Sequence, residues 1–561
     1  MKKKSRLKNT FVTLAILLII NIIASQLFIR IDFTSDQKYT LTDSTLDLIE
    51  SIEQPVLIQV FLGGELPTEF KRLQTETRFI LEEMRMYNAN IKFEFINPLD
   101  QNRDAMEVAS LFHKQGMPPE NLKIQENGKV TERLVFPWAV AKFKNNTATL
   151  SLLQKTLTQS NSELIQNSIE NLEYEFVNAL TKISRKRSKR IAVLKGQGEL
   201  EDRYISDILK TLKDYYLIAP FTLDSLKTKP QKTINQLKTY DLIIDAKPTK
   251  PFSEEKTYAI DQYLMSGGKA VWLVEHVQVE KDSLYKASKS TLALPRDLNL
   301  YTLFFKYGIR INPQLVNDLY SAPIVLASGS GNSTQLSRFP WFYDPLGEPV
   351  EQHPITNHLN SVKFEFANPI DILDSDLSVT RLLSSSELSR KVGTPTDINL
   401  NTITEEPKPE LYTSGHFPLA VLVEGEFDSA FKNKLKPLHL SNSLDKSPKT
   451  QQVFISDGDV IKNQIQNGKP LELGFDRYSG LTYGNKRFLT NTVNYLLGDR
   501  DLVATRNKSI ALNEMDLDQL SAEKQKWQVF NLAAPLAAVL IFGVIFYYWR
   551  RKTYSLPQRL N

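Results

Sequence analysis

Two carboxylates one glycine apart are the first candidate for chemistry. Asp457-Gly458-Asp459 follows an apolar run at 453–456. Such a pair suits Ca²⁺, but the rest of an EF-hand loop is absent, so a turn is the default reading. The second candidate is Lys195-Gly196-Gln197-Gly198-Glu199, a glycine pair between an expected strand and an expected helix. Helix N-termini after such turns bind phosphate. The spacing fits neither GxGxxG nor GxxxxGK[ST], so the glycines are read as tight turning. His353 and His358 are two of the six histidines, but five residues apart and off a helix they make no metal motif. Phe339-Pro-Trp-Phe-Tyr343 would stack on a sugar or a partner if exposed, and would seal a domain edge if buried. Lys182, Arg185, Lys186, Arg187, Lys189 and Arg190 form a basic run. Its default reading is a solvated helix end that complements the helix dipole. Contact with anionic lipid headgroups or an acidic partner is the alternative.

None of this assembles a catalyst. A nucleophile needs a base and an orienting group beside it. The histidines are scattered, no G-x-S-x-G elbow occurs, and the chain has no Cys. The expectation is therefore no enzyme: no catalytic residue, no cofactor-binding residue and no metal ligand is nominated. Zero Cys also excludes disulfides and thiolate metal sites. The balance of 69 basic and 64 acidic residues, net +5, gives no support to nucleic-acid binding.

Two uncharged stretches frame the chain. Residues 10–29 read TFVTLAILLIINIIASQLFI. At 1.5 Å per residue, about twenty apolar residues cross a hydrocarbon core of roughly 30 Å. Five Lys and Arg residues within 1–9 precede it and should stay in the cytoplasm. A cleaved signal peptide is the competing reading, but the run exceeds the usual apolar length and Gln26 stands where a small residue belongs. Residues 529–549 are also uncharged, with Tyr547, Tyr548 and Trp549 as an interfacial belt and Arg550, Arg551 and Lys552 behind them. Two spans follow, with both termini cytoplasmic and the body between them extracytoplasmic, and the absence of Cys is compatible with a bacterial periplasm. Asn21 and Asn531 are the only asparagines in the spans. They either bond locally near an interface or touch another membrane subunit.

Between the spans the pattern is α/β. A short helix from Thr42 or Asp43, a strand at 56–62, a helix at 69–88 and a strand at 91–96 make a βαβ unit. A helix at 102–114 and short strands near 122–124, 134–135 and 139–143 complete a compact domain, read as thioredoxin-like but lacking CxxC. After a helix at 163–183, strands at 191–194, 241–246 and 270–274 alternate with helices from about 202 and at 253–265. That alternation predicts a parallel sheet covered on both faces. Strands are further expected at 367–373 and 419–423, with an acidic, Pro-containing loop at 401–409 between them. A helix at 485–497 and a polar stalk follow.

Some of these residues carry a resemblance. Asp32-Phe-Thr-Ser-Asp, Lys38-Tyr-Thr-Leu-Thr42, Phe70-Lys-Arg-Leu and Phe93-Glu-Phe-Ile-Asn-Pro98 are similar to the GldG family. These are the gliding-motility-associated ABC-transporter auxiliary, substrate-binding-like proteins of Bacteroidetes, and the similarity runs over essentially the whole chain. From 185 onward the chain resembles the α/β domain that GldG shares with an intraflagellar-transport protein, related in fold to class I glutamine amidotransferases. Those enzymes place a Cys on a sharp turn after a strand. Here Val274 leads to Glu275-His276, so the resemblance implies the fold without its chemistry.

The resulting domain expectation is a cytoplasmic N-terminus at 1–9, a span at 10–29 and a thioredoxin-like domain at 30–184. An amidotransferase-like domain at 185–500, a stalk at 501–528, a span at 529–549 and a cytoplasmic tail at 550–561 follow. The resemblance implies a non-catalytic auxiliary subunit working with an ABC-type ATPase subunit and a polytopic permease in gliding motility. The alternative is a tethered solute- or glycan-binding module.

Overall fold

The computed structural model describes residues 40–100, 104–126, 129–154, 161–185, 187–286, 289–328, 335–357, 359–404, 406–498 and 517–554. The expected first span at 10–29 with Asn21, the resemblance residues 32–39, Lys186, His358 and stalk residues 501–516 lie outside them. The chain divides into two units, one running to Ser509 and one starting at Ile510.

The first unit begins with helix α1 (Asp43–Glu50). Thr42 is its N-cap residue, yet the hydroxyl makes no capping bond. It donates instead to Glu173, which also accepts from the Thr42 N–H at 2.8 Å and from Thr45 Oγ1 at 2.7 Å. Glu173 lies on the long helix Asn161–Ser184, so this buried carboxylate fastens the two helices together. Strand β1 (Val56–Val60), helix α2 (Thr68–Tyr87) and strand β2 (Ile91–Phe95) form the expected βαβ unit, with β1 and β2 parallel. Helix α3 (Ala105–Lys114) and the hairpin β3 (Glu120–Glu126) and β4 (Lys129–Val135) follow. Strand β5 (Trp138–Phe143) then adds antiparallel to β1, and β6 (Asn146–Ser151) antiparallel to β5, giving the order β2-β1-β5-β6. Helix α4 (Asn161–Ser184) lays Ile165, Ile169, Leu172, Phe176 and Leu180 on the shared core.

The remainder of this unit is built on a nine-stranded sheet. Strand β7 (Arg190–Lys195), helix α5 (Ser206–Lys213), strand β8 (Leu217–Thr222), helix α6 (Pro230–Leu237) and strand β9 (Leu242–Ala246) come first. Helix α7 (Glu254–Met265) and strand β10 (Lys269–Leu273) follow. Ser253 caps α7, its hydroxyl accepting from the Lys256 N–H. A long insertion then contains the hairpin β11 (Ile324–Ser328) and β12 (Gln335–Phe339), and also β13 (Leu346–Pro349), β14 (Val362–Lys363) and β15 (Ser378–Ser384). Strands β16 (Pro418–Asp428) and β17 (Lys446–Ile455) return to the centre, and helix α8 (Asn485–Leu496) closes this part.

The sheet order is β14-β13-β15-β16-β17-β10-β9-β7-β8, parallel from β17 to β8 and antiparallel beyond β17. Alternation sorts the central strands onto two faces. Ile191, Val193, Ile244, Val271 and Val453 pack with α5 and α8. Ala192, Leu194, Ile243, Trp272 and Phe454 pack with α6 and α7. Both faces are therefore covered by helices, as parallel strands require.

The second unit holds helix α9 (Leu517–Tyr554), with Pro535 inside it. At 1.5 Å per residue its 38 residues reach about 57 Å. The part from Glu523 to Lys552 is long and apolar enough to cross a membrane, and none of it is buried. The described end of the expected stalk and the expected span at 529–549 are thus one continuous helix, with Asn531 exposed on it.

Candidate functional site

The carboxyl ends of strands are where open α/β sheets bind ligands, at the crevice where strand order reverses. Here that crevice lies between β7 and β9, and it is stitched shut. The Gln197 carbonyl accepts from the Thr249 and Lys250 N–H groups, both at 2.8 Å. Gly198 has φ +77, and a Cβ there would stand 2.1 Å from Thr249 Oγ1. The glycine pair thus makes a tight turn that admits close backbone approach.

Chemistry gathers further along the same edge, beyond β9, β10 and β17. Glu275 follows β10, and Asp457 and Asp459 follow β17. Their carboxylate oxygens lie within 4.8 Å of one another. Lys247, just past β9, reaches two of them, Asp459 at 2.5 Å and Glu275 at 3.3 Å. Arg296 meets Glu275 at 2.9 Å and Lys462 meets Asp459 at 3.1 Å. The Asp457 carboxylate accepts from the Asp459 and Glu365 N–H groups, both at 2.7 Å. A Cβ on Gly458 would sit 2.4 Å from the Lys247 stem, so this glycine lets the lysine close over the acids.

Electrostatics decide which charges persist. Burial opposes the Lys247 ammonium, but Asp459 and Glu275 outweigh it and raise its pKa. Burial also opposes ionised Asp459, yet Lys247 and Lys462 hold it below the usual carboxylate range. Burial, reinforced by Asp459 and Glu275, pushes Asp457 well up. The three acids therefore already hold a cation, the lysine, between two of their number.

A second network adjoins the first through Glu365. Lys363 pairs with Glu365 at 3.0 Å, Asp344 at 3.6 Å and Asp476 at 3.6 Å. Lys281 pairs with Glu365 at 3.2 Å and also with Asp344. Asp344 is fully buried and its Oδ1 has no hydrogen-bond partner among the described residues. Burial lifts its carboxyl to about 6, although Lys281 and Lys363 work against that rise. Glu365 moves the other way: burial opposes its charge, but the same two lysines pull it well below the ordinary value.

Both networks line one cavity of about 800 Å³, a size typical of small-molecule sites. Its apolar wall includes Ile324 and Leu326 of β11, with Val279 and Phe366. Among the described residues no Ser, Thr, Cys or His lines it. Its lysines stay charged, so they are poor nucleophiles and poor bases. His276 sits beside Glu275 but stacks 4.6 Å from Tyr301 with Nδ1 at the Arg296 carbonyl. Burial drives it down to about 4, so it is neutral near pH 7. The arrangement can bind and orient a polar molecule.

The remaining sequence candidates lie elsewhere. Trp341 is buried and packs with Tyr343 and Phe366, so that cluster seals an edge. His353 Nδ1 accepts from the Ile355 N–H at 3.2 Å, and its ring rests on Tyr495. In the basic run, Lys182 faces Asp214 at 3.8 Å, Lys189 pairs with Asp241 at 3.0 Å and Arg190 covers the Tyr240 ring. Sequence reasoning missed Lys247, Lys281, Asp344, Lys363 and Asp476. The available signal was charge set among apolar neighbours, as in Val362-Lys-Phe-Glu-Phe366.

A family model described as "ABC-type uncharacterized transport system" matches residues 188–492, more than half of the chain. The chain belongs to this family. It is therefore an auxiliary protein of ABC-type transport systems, and the whole cavity falls inside the family domain. A second model, a domain of unknown function, matches residues 35–142. An uncharacterized protein of Borreliella burgdorferi is 19% identical over 556 residues, covering 98% of this chain and 99% of that protein. Among solved structures, the N-terminal domain of mmIFT52 aligns at 13% identity and a TM-score of 0.30. That alignment covers 55% of this chain and 98% of that domain, and its score is too low to bear on the fold of this family member.

Proposed function

We propose that the chain is a non-catalytic, membrane-anchored subunit of an ABC transport complex, with its α/β body on the periplasmic side of the inner membrane. Energy comes from a separate ATPase subunit and passage from a polytopic permease. The observation that carries this reading is α9: an unburied apolar helix of spanning length follows a domain of the auxiliary family. The basic flanks at 2–8 and 550–552 support cytoplasmic termini. The GldG resemblance supports a role in gliding motility. The strand order β2-β1-β5-β6 supports a thioredoxin-like reading of 30–184. Glu275, in the turn after β10, supports the amidotransferase-like reading of 185–500, with a carboxylate in the position of the nucleophile.

Purification from the native membrane in mild detergent tests the reading. An ATPase and a polytopic permease should accompany the chain; a monodisperse monomer without either refutes it. Reporter fusions at Asn145 and Asn401 should face away from the cytosol. One observation favours the second reading, a tethered solute- or glycan-binding module: the charged cavity inside the family domain.

A further inference from the structure

The cavity's charges separate into those already used and those left over. Five cationic and five acidic side chains line it, so a ligand of single sign meets as much repulsion as attraction. The inner groups are consumed by one another, as in Lys247 with Asp459 and Lys363 with Glu365. The remainder is of both signs. The Arg477 guanidinium donates to the Ile465 carbonyl at 2.8 Å and to the Tyr478 hydroxyl, and has no carboxylate partner among the described residues. Glu280 and Asp282 line the same cavity, with no cationic partner among the described residues. Tyr285 and Tyr478, each about half exposed, add aromatic surface, and Ile324 and Leu326 add an apolar wall.

We propose that this cavity binds a zwitterion, an amino acid or short peptide. Its carboxylate pairs with Arg477, its ammonium with Glu280 and Asp282, and its side chains rest on the apolar wall. An anion alone gains Arg477 but faces the two acids. A cation alone meets the reverse. A neutral polyol leaves all three charges without an ionic partner. Only a molecule carrying both signs gains an ion pair at each of these exposed groups. The inference rests on the solute-binding reading and does not depend on partner subunits.

The test uses the full chain in detergent with a pool of random di- and tripeptides. The same pool with N-acetylated or C-amidated ends and a pool of neutral oligosaccharides run beside it. Retained molecules are identified by mass spectrometry after dialysis. Free-ended peptides should be retained, and capping either end should weaken binding about threefold, the worth of one exposed ion pair. Arg477→Gln should weaken free-ended peptides by the same factor while leaving C-amidated ones unchanged. Glu280→Gln combined with Asp282→Asn should do likewise for the amino end. A merely structural role for these residues would lower both forms equally, and that result overturns the proposal. So does equal retention of capped and free peptides. Retention of oligosaccharides alone overturns the zwitterion but spares a solute-binding module, whereas retention of nothing overturns both.

Discussion

Replacing Lys247 by Met removes the ammonium that bridges Glu275 and Asp459 without emptying the space its stem fills. The lysine side chain is 13% exposed and its partners 3% and 10%, so water screens little of the loss. Removing one member of a buried ion pair costs about 3–5 kcal/mol. Arg296 remains on Glu275 and Lys462 on Asp459, so the lower end, about 3 kcal/mol, is expected. At about 2 °C per kcal/mol for a large cooperative unit, the unfolding midpoint should fall by roughly 6 °C. The assay is thermal unfolding of the full chain in detergent, followed by tryptophan fluorescence, with buried Trp272 on β10 as a nearby reporter. The pH dependence adds a second constraint. Lys247 is raised, so its contribution is complete below the ordinary lysine value of about 10 and is lost only above it. Asp459 is lowered, so its contribution is present above about pH 4 and fades as pH falls through its folded value. Without Lys247 the acids take up protons more readily. The deficit should therefore be full near neutral pH and shrink toward about pH 4. Millimolar Ca²⁺ should restore part of the midpoint in the variant only, because oxygens within 4.8 Å of one another then stand without the lysine. A midpoint change under about 2 °C, or a deficit that ignores pH, would refute the reasoning.

Three further outcomes follow from the same geometry. Gly458→Ala pushes a methyl into the Lys247 stem, and overpacking of this kind should cost about 1–3 kcal/mol, read as a lower midpoint. Asp245 on β9 is fully buried with neither oxygen hydrogen-bonded among the described residues, and burial, followed by nearby Glu199, pushes its carboxyl well up. The unfolded chain releases that proton first, so stability declines as pH rises above about 4; Asp245→Asn should raise the midpoint near neutral pH and leave it unchanged at about pH 4. Trp341→Ala empties the sealed edge beside Tyr343 and Phe366 and should cost about 3–5 kcal/mol by the same melting assay.

The central strands were legible because β7 and β10 carry apolar runs and β9 is apolar but for Asp245, each bounded by Gly or polar turns. Strand β8 was not, because Pro220 argues against a strand; it is tolerated there since β8 is the sheet's edge. The insertion between β10 and β16 was largely illegible. Its strands are short, and their partners are far away in sequence: β13 pairs with β15, and β15 with β16. The site divides in the same way. Asp457 and Asp459 announce themselves by spacing. Glu275 was visible only as the residue standing where a related enzyme would carry Cys. Lys281, Asp344 and Lys363 meet only after folding, and no interval between them carries a motif. Glu173 was likewise read as one more residue of a helix, although three donors from Thr42 and Thr45 converge on it.

Ions dissolved in water weaken charge pairs they can approach, over a distance of about 8 Å at physiological strength. Lys281 and Lys363, which tie segments of the insertion to one another, stand with their acids largely behind protein, Asp344 wholly so. Swings in salinity should therefore leave that joint intact while loosening pairs at the rim such as Lys446 with Glu426.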